Sequence, residues 1–257
     1  SWSTSFGRPA FTNLVPTATI SDPNQTVTIS NPSVGPQYSE NIDVSLQYYL
    51  RPAGVVSLGY FRKDIEDYIL TTDIGIVGVG ADNGFEGSYP GYRLLASRNA
   101  GQAKVNGWEF DYRQQLTFLP DWLQGFAVSA NYTFLSTEGD FGGGTVRSDK
   151  EVAGFIPRTG NAGFTYGRGK YRFSAQLNYT GNYLATFSAT PQRNIYRAER
   201  TIVNFGLGYQ WKPAVSFFID LANAFNEPQQ AYIGYENRQQ RVINTGQAVT
   251  FGVNGRF

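Results

Sequence analysis

The chain has 257 residues, with 21 Lys and Arg against 20 Asp and Glu, a net charge of +1, and no Cys, His or Met. That composition excludes disulfides, thiolate nucleophiles, imidazole bases and nearly all soft metal ligation. The near-zero charge leaves no electrostatic footprint for nucleic acid, and an enzyme or a bound cofactor is not expected.

Charged residues make up 16% of the chain, against roughly 25% in soluble domains. Aromatics also reach 16%, with 17 Tyr and 19 Phe, and there are 29 Gly. Apolar residues never run to the ~18 that a transmembrane helix needs. The most apolar short run, "IGIVGVGA" (74–81), is broken by glycine.

The chain opens inside a strand-like run, "SWSTSF", with no signal peptide, as expected of a piece or processed product of something longer. From there a period of two dominates. Ile42, Val44, Leu46, Tyr48 and Leu50 alternate with polar residues, and Trp108, Phe110 and Tyr112 oppose Glu109, Asp111 and Arg113. Phe126, Val128, Tyr132 and Phe134 lie opposite Ser129, Asn131 and Thr133. Phe173, Leu177 and Tyr179 oppose Ser174, Gln176 and Asn178, while Phe205, Leu207, Tyr209 and Trp211 oppose Gly206, Gly208 and Gln210. Such alternation predicts long strands with one apolar face. Roughly ten fit this template, near 1–8, 39–51, 55–70, 100–118, 125–136, 158–167, 170–183, 198–212, 215–225 and 244–257.

Short turns at 51–54, 119–125, 167–170 and 212–214 alternate with long polar loops at 9–38, 71–99, 137–157, 184–197 and 226–243. That rhythm predicts an outer-membrane β-barrel with tight periplasmic turns and long extracellular loops. A soluble sandwich or small ligand-binding barrel also alternates, but its polar faces should carry many Lys and Glu. Here they carry Ser, Thr, Asn, Gln and Gly, which suits a wet lumen. Tyr48, Tyr132, Phe134, Tyr179, Tyr209 and Trp211 near the strand ends match an interfacial aromatic girdle.

The ending "GQAVTFGVNGRF" alternates through Val249, Phe251 and Val253 and stops on Phe257. It resembles the carboxyl-terminal signature by which outer-membrane proteins are recognised for assembly. "RPAFTNLVP…NPSVGPQYSENIDVSLQYYLRPAGVVSLGYFRKDIEDYI" resembles a loop and strand pair of TonB-dependent receptors, with Val34 and Gln37 where that family has Leu and Glu. "NAGQAKVNGWEFDYRQQLTFLPDWLQGFAVSANYTF", "FIPRTGNAGFTYGRGKYRFSAQLNYTGNY" and "FIDLANAFNEPQQAYIG" follow in the family's order. The resemblance implies an all-β transmembrane antiparallel barrel, with residues 1–257 forming about ten strands of the carboxyl-terminal part of a barrel of about 22. It implies TonB-energised uptake of a ferric siderophore, a cobalamin-like complex or an oligosaccharide. The plug and its TonB-contacting segment would lie upstream. Outer-membrane lipid, lipopolysaccharide, the barrel-assembly machinery and a small nutrient ligand are the implied partners. The alternative is a self-contained ten-stranded barrel acting as adhesin or surface enzyme, in which the first and last strands would pair.

"GVGADNG" (78–84) has glycines at the wrong spacing for a dinucleotide loop and reads as a solvent loop. The sequons at Asn131 and Asn178 fall mid-strand and read as lumen residues. Glu109, Asp111 and Arg113 read as a charged lumen wall; Asp140, Asp149 and Glu151 have no calcium-loop spacing. The candidate ligand contacts lie in three long loops: Tyr89, Tyr92, Arg93 and Arg98; Arg193, Tyr196, Arg197 and Arg200; Tyr232, Tyr235, Arg238 and Arg241. Aromatic faces stack on sugars or aryl groups, and guanidinium forks bind carboxylate and phosphate. The same arginines also suit contact with anionic lipopolysaccharide. Lack of histidine argues against haem as the ligand.

Overall fold

The computed structural model describes residues 1–99, 101–140, 151–186 and 191–255. In chain order the first strands are β1 (Trp2–Gly7), β2 (Ala18–Ser21), β3 (Thr26–Ile29), β4 (Gln37–Leu50), β5 (Gly54–Glu66) and β6 (Ile69–Ile76). Next come β7 (Arg93–Asn99), β8 (Gln102–Gln115), β9 (Phe126–Asp140), β10 (Arg158–Arg168), β11 (Tyr171–Thr180) and β12 (Tyr183–Thr186). The last are β13 (Ile195–Arg197), β14 (Arg200–Lys212), β15 (Val215–Ala222), β16 (Gln229–Ile233), β17 (Gln239–Ile243) and β18 (Ala248–Gly255). Among the described residues one α-helical turn, Phe11–Leu14, interrupts them.

Ten strands form one sheet in the order β1-β4-β5-β8-β9-β10-β11-β14-β15-β18. They are the ten expected from alternation. Short connections join β4 to β5, β10 to β11 and β14 to β15, and a 3₁₀ turn at Asp121–Leu123 lies between β8 and β9. The end strands in this order are β1, which pairs with β4, and β18, which pairs with β15.

The expected polar loops need correction. Segments 9–38, 71–99, 184–197 and 226–243 hold most of eight further short strands, in two sheets ordered β2-β3-β7-β6 and β12-β13-β16-β17. Local hairpins such as β2–β3 and β16–β17 are joined by long-range pairs: β13 with β16, and β3 with β7 in parallel register. Pieces this short carry too few residues for a period-two signal.

Two compact units are distinguished: one built from Ser1–Ile42 and Arg62–Val105, the other from Asp43–Phe61, Asn106–Thr137 and the chain from Glu151 onward. In the second unit the register from β9 to β18 sorts the side chains. Phe126, Tyr166, Phe173, Leu207, Ile219 and Phe251 form one unbroken cross-strand row. Another row on the opposite face runs Ala127, Thr165, Ser174, Gly206, Asp220 and Thr250. Val128, Tyr132, Leu177, Phe205 and Val253 fall on the apolar face, with Asn131, Gln176, Asn178, Gln210 and Asn254 on the other, as expected.

The apolar face is uncovered: Phe251 is 79% exposed and Leu207 56%. Water would penalise that surface at roughly 25 cal/mol per Å², whereas lipid accepts it. Rings reinforce it from strand to strand, with Phe126 4.4 Å from Tyr166 and Tyr171 5.2 Å from Tyr209. The polar face bonds laterally, as where Asn161 Nδ2 donates to Asn131 Oδ1 at 2.9 Å. Phe218 is an exception, standing on the polar face between Gly208 and Gly252; a Cβ at Gly252 would lie 2.7 Å from its ring.

In the β12-β13-β16-β17 sheet, Gly234 has φ +68°, and a Cβ there would lie 2.6 Å from the Gln192 carbonyl oxygen. Its N–H donates to Asn194 O at 2.8 Å.

Two outcomes follow from these contacts. Leu207→Lys should cost about 2–4 kcal/mol near the bilayer midplane, while Thr250→Gln on the opposite face should stay within about 0.5 kcal/mol; urea titration of refolding into vesicles measures both. Gly234→Ala should speed proteolytic cleavage within 191–243 and leave the heat resistance of the ten-stranded sheet unchanged.

Candidate ligand-binding loops

In the first unit, Tyr89 and Tyr92 sit in the connection between β6 and β7. Phe85, Tyr89 and Tyr92 form a ring chain, with centroids 6.2 and 5.5 Å apart. Tyr92 Oη donates to Asp22 Oδ1 at 3.2 Å. Burial and then that hydrogen bond raise the Tyr92 phenol above its ordinary pKa. Arg93 opens β7, and its backbone N–H donates to Gln25 O at 2.9 Å. Arg98 lies within β7. This loop is tied together by Asn83, whose Nδ2 donates to Gly78 O and Ser88 O while its Oδ1 accepts from the N–H groups of Phe85 and Gly87. The glycine-rich stretch around it is therefore a cross-braced turn and not a phosphate cradle.

In the second unit, Tyr196 and Arg197 lie on β13 and Tyr232 on β16. Adjacent residues of a strand point to opposite faces, and the register makes this specific. Tyr196 opposes Tyr232, with stacked rings 5.2 Å apart and 14° from parallel. Tyr232 is only 7% exposed. Asn182 Nδ2 donates to its hydroxyl and Asn194 Nδ2 donates to that of Tyr196. Burial raises the Tyr232 phenol above its ordinary pKa, against the opposing effect of the Asn182 hydrogen bond.

The other face carries a row of Tyr183, Arg197, Ala231 and Arg241 across β12, β13, β16 and β17. Ala231 is buried, and two guanidiniums flank it. Neither arginine has an ion pair among the described residues. Their Cα atoms are two strand spacings, about 10 Å, apart. Tyrosine stacking and arginine charge, expected side by side, are thus divided between two faces.

Tyr235 is exposed in the β16–β17 turn, and Arg238 Nη1 donates to Gln192 O at 3.2 Å. Arg193 ends a 3₁₀ turn at Pro191–Arg193. Arg200, at the start of β14, donates through Nη2 to Glu227 O and Thr245 Oγ1. Asp111 and Arg113 form the expected strand ion pair at 3.3 Å. Phe251 and Val253 occupy the apolar face of β18; Phe257 and Asp149 lie outside the described residues. No group of three metal-ligating side chains is found among the described residues.

Sequence reading overlooked the asparagines that shape these loops. Asn194 is fully buried. Asn223, at φ 50°, accepts from Glu227 N at 2.8 Å and donates to Gly246 O at 3.1 Å, binding the β15–β16 connection to the β17–β18 one. Asn tolerates the left-handed region and bonds locally, so "LANAFNE" carried a turn signal.

A family model described as TonB dependent receptor-like, beta-barrel matches residues 1–224. The chain is 23% identical over 162 residues to the probable hemoglobin and hemoglobin-haptoglobin-binding protein 4 of Haemophilus influenzae, covering 63% of this chain and 15% of that protein. The ferric enterobactin receptor of Pseudomonas aeruginosa, in a G324V mutant form, superposes over 100% of this chain and 37% of its own, with TM-score 0.67 and 15% identity. The ferripyoverdine receptor of the same organism gives 0.58 over 86% and 27%, at 15% identity. A ferric citrate transporter gives 0.56 over 86% and 31%, at 16% identity. The chain spans well under half the length of each of these proteins. With residues 1–224 covered by that family's barrel model, the chain belongs to the TonB-dependent receptors and contributes strands to their transmembrane β-barrel.

Proposed function

We propose that this protein is a bacterial outer-membrane receptor that imports a negatively charged, oxygen-rich ferric chelate, energised by the TonB complex. The chain supplies the carboxyl-terminal part of the barrel. Further strands cover the edges of β1 and β18, because each unpaired backbone group in lipid costs several kcal/mol. A plug elsewhere in the protein carries the TonB-contacting segment. Phe251, Val253 and Phe257 are read by the barrel-assembly machinery. No covalent chemistry is involved.

The observation that carries the ligand class is the Arg197–Ala231–Arg241 row. Two arginines whose Cα atoms are about 10 Å apart, with no carboxylate partner among the described residues, suit a multivalent anion. The stacked tyrosine pair supports a glycan less well, because Tyr232 is buried against Tyr196 and its own ring is closed to a sugar. The three superposable proteins are named for ferric chelates, of enterobactin, pyoverdine and citrate, while the Haemophilus relative is named for hemoglobin.

In the intact receptor, Arg197→Gln with Arg241→Gln should weaken binding of a ferric catecholate by at least about ten-fold, from the loss of charged hydrogen bonds of about 1.5–3 kcal/mol each. Raising salt should weaken the unaltered receptor in the same direction. Titration by quenching of tryptophan fluorescence reads both. Unchanged affinity, or tighter binding of haem or a neutral oligosaccharide that ignores both substitutions, contradicts the proposal.

A further inference from the structure

The short-turn end of the second unit carries a feature that ligand import does not use. The β10–β11 and β14–β15 hairpins lie side by side, and their turns are fixed to each other: Gln210 N–H donates to Lys170 O at 2.7 Å. The Gln210 side chain then locks the second turn, with Nε2 donating to Lys212 O at 2.6 Å. On this base two ammonium groups converge on one residue. Lys170 Nζ donates to Trp211 O at 3.5 Å, and Lys212 Nζ stands 4.5 Å from the Trp211 ring centroid. Both lysines are exposed. Among the described residues neither has a carboxylate partner, whereas the nearby Arg168 is neutralised by Asp121 at 2.8 Å.

Below the charges the surface is apolar and aromatic. Trp211 approaches Phe217 at 6.4 Å, and Tyr171 packs on Tyr209 at 5.2 Å. Phe217 and Tyr209 share the register row that continues to Val253. All lie on the lipid-facing side of the sheet. One cation over the Trp211 ring and a second at the Trp211 carbonyl, with an aliphatic and aromatic strip leading away from them, complement an anionic headgroup with acyl chains beneath it.

We propose that Lys170, Lys212 and Trp211 form a binding site for an anionic phospholipid of the leaflet that meets the short turns. The phosphodiester lies between the two ammoniums, and an acyl chain follows Trp211, Phe217 and Val253. The preference is for net negative headgroups such as phosphatidylglycerol, because the phosphate of a zwitterionic lipid brings its own cation. The inference uses the membrane-spanning orientation of the sheet and does not depend on which nutrient is carried.

The test is native mass spectrometry of the intact detergent-purified receptor, titrated with phosphatidylglycerol, phosphatidylcholine of matched chains, or lipid A. Phosphatidylglycerol should be retained preferentially. Lys170→Gln and Lys212→Gln should each lower its retention about five-fold, in line with roughly 1 kcal/mol per basic residue at an anionic surface. The double Arg variant should restore it. Heat-modifiable gel mobility verifies that each variant is folded, and ferric chelate binding should be unaltered. Equal retention of the two phospholipids, preference for lipid A, or retention unchanged in the double Gln variant overturns the assignment.

Discussion

Within the hydrocarbon of a bilayer no water is available to complete a backbone hydrogen bond, so every N–H and C=O must pair inside the protein. A chain that crosses with strands meets this demand by lateral pairing, and each strand must then show one face to lipid and the other to the interior. The two rows that run across β9, β10, β11, β14, β15 and β18 are the consequence. Apolar side chains number no more than in a soluble protein, but they are dealt out one position in two. The same constraint fixes register, since a slip of one residue would put Asp220 in lipid and Ile219 in the lumen.

Where the chain leaves the membrane, that constraint lifts and water can satisfy the backbone. Segments there hold their shape by local polar chemistry, through Asn83, Asn194 and Asn223, and by close backbone approach at Gly234. The cross-strand row then places Arg197 and Arg241 around Ala231, with a rigid tyrosine pair behind them. At the opposite ends of the same strands the turns are tight, and Gln210 fixes the pair of lysines around Trp211.

This division explains what was legible in the sequence. The ten long strands could be read because lipid on one side imposes a period over eight or more residues, as in Phe205, Leu207 and Tyr209. The family resemblance rested on the same stretches. The two smaller sheets could not be read: Ile195–Arg197 is three residues long, and its neighbours Tyr183–Thr186 and Gln229–Ile233 lie far apart in the chain. The candidate residues were chosen by type, Tyr and Arg, and grouped by loop, whereas the strand register groups Tyr196 with Tyr232 and Arg197 with Arg241. Treating 184–197 as a loop hid the fact that Tyr196 and Arg197, as neighbours in a strand, must face opposite ways.

The central claim is that one face of the sheet meets lipid and the other water. Residues 1–257 hold no cysteine, so once any cysteine elsewhere in the intact receptor is replaced by serine, single cysteines can be placed along β15 from Ser216 to Leu221 and spin-labelled in vesicles. Collision with dissolved oxygen and with a water-soluble nickel chelate should then alternate residue by residue, oxygen dominating at 217, 219 and 221 and nickel at 216, 218 and 220. Nickel accessibility that is uniform along the strand, or an alternation of opposite phase, would contradict the account.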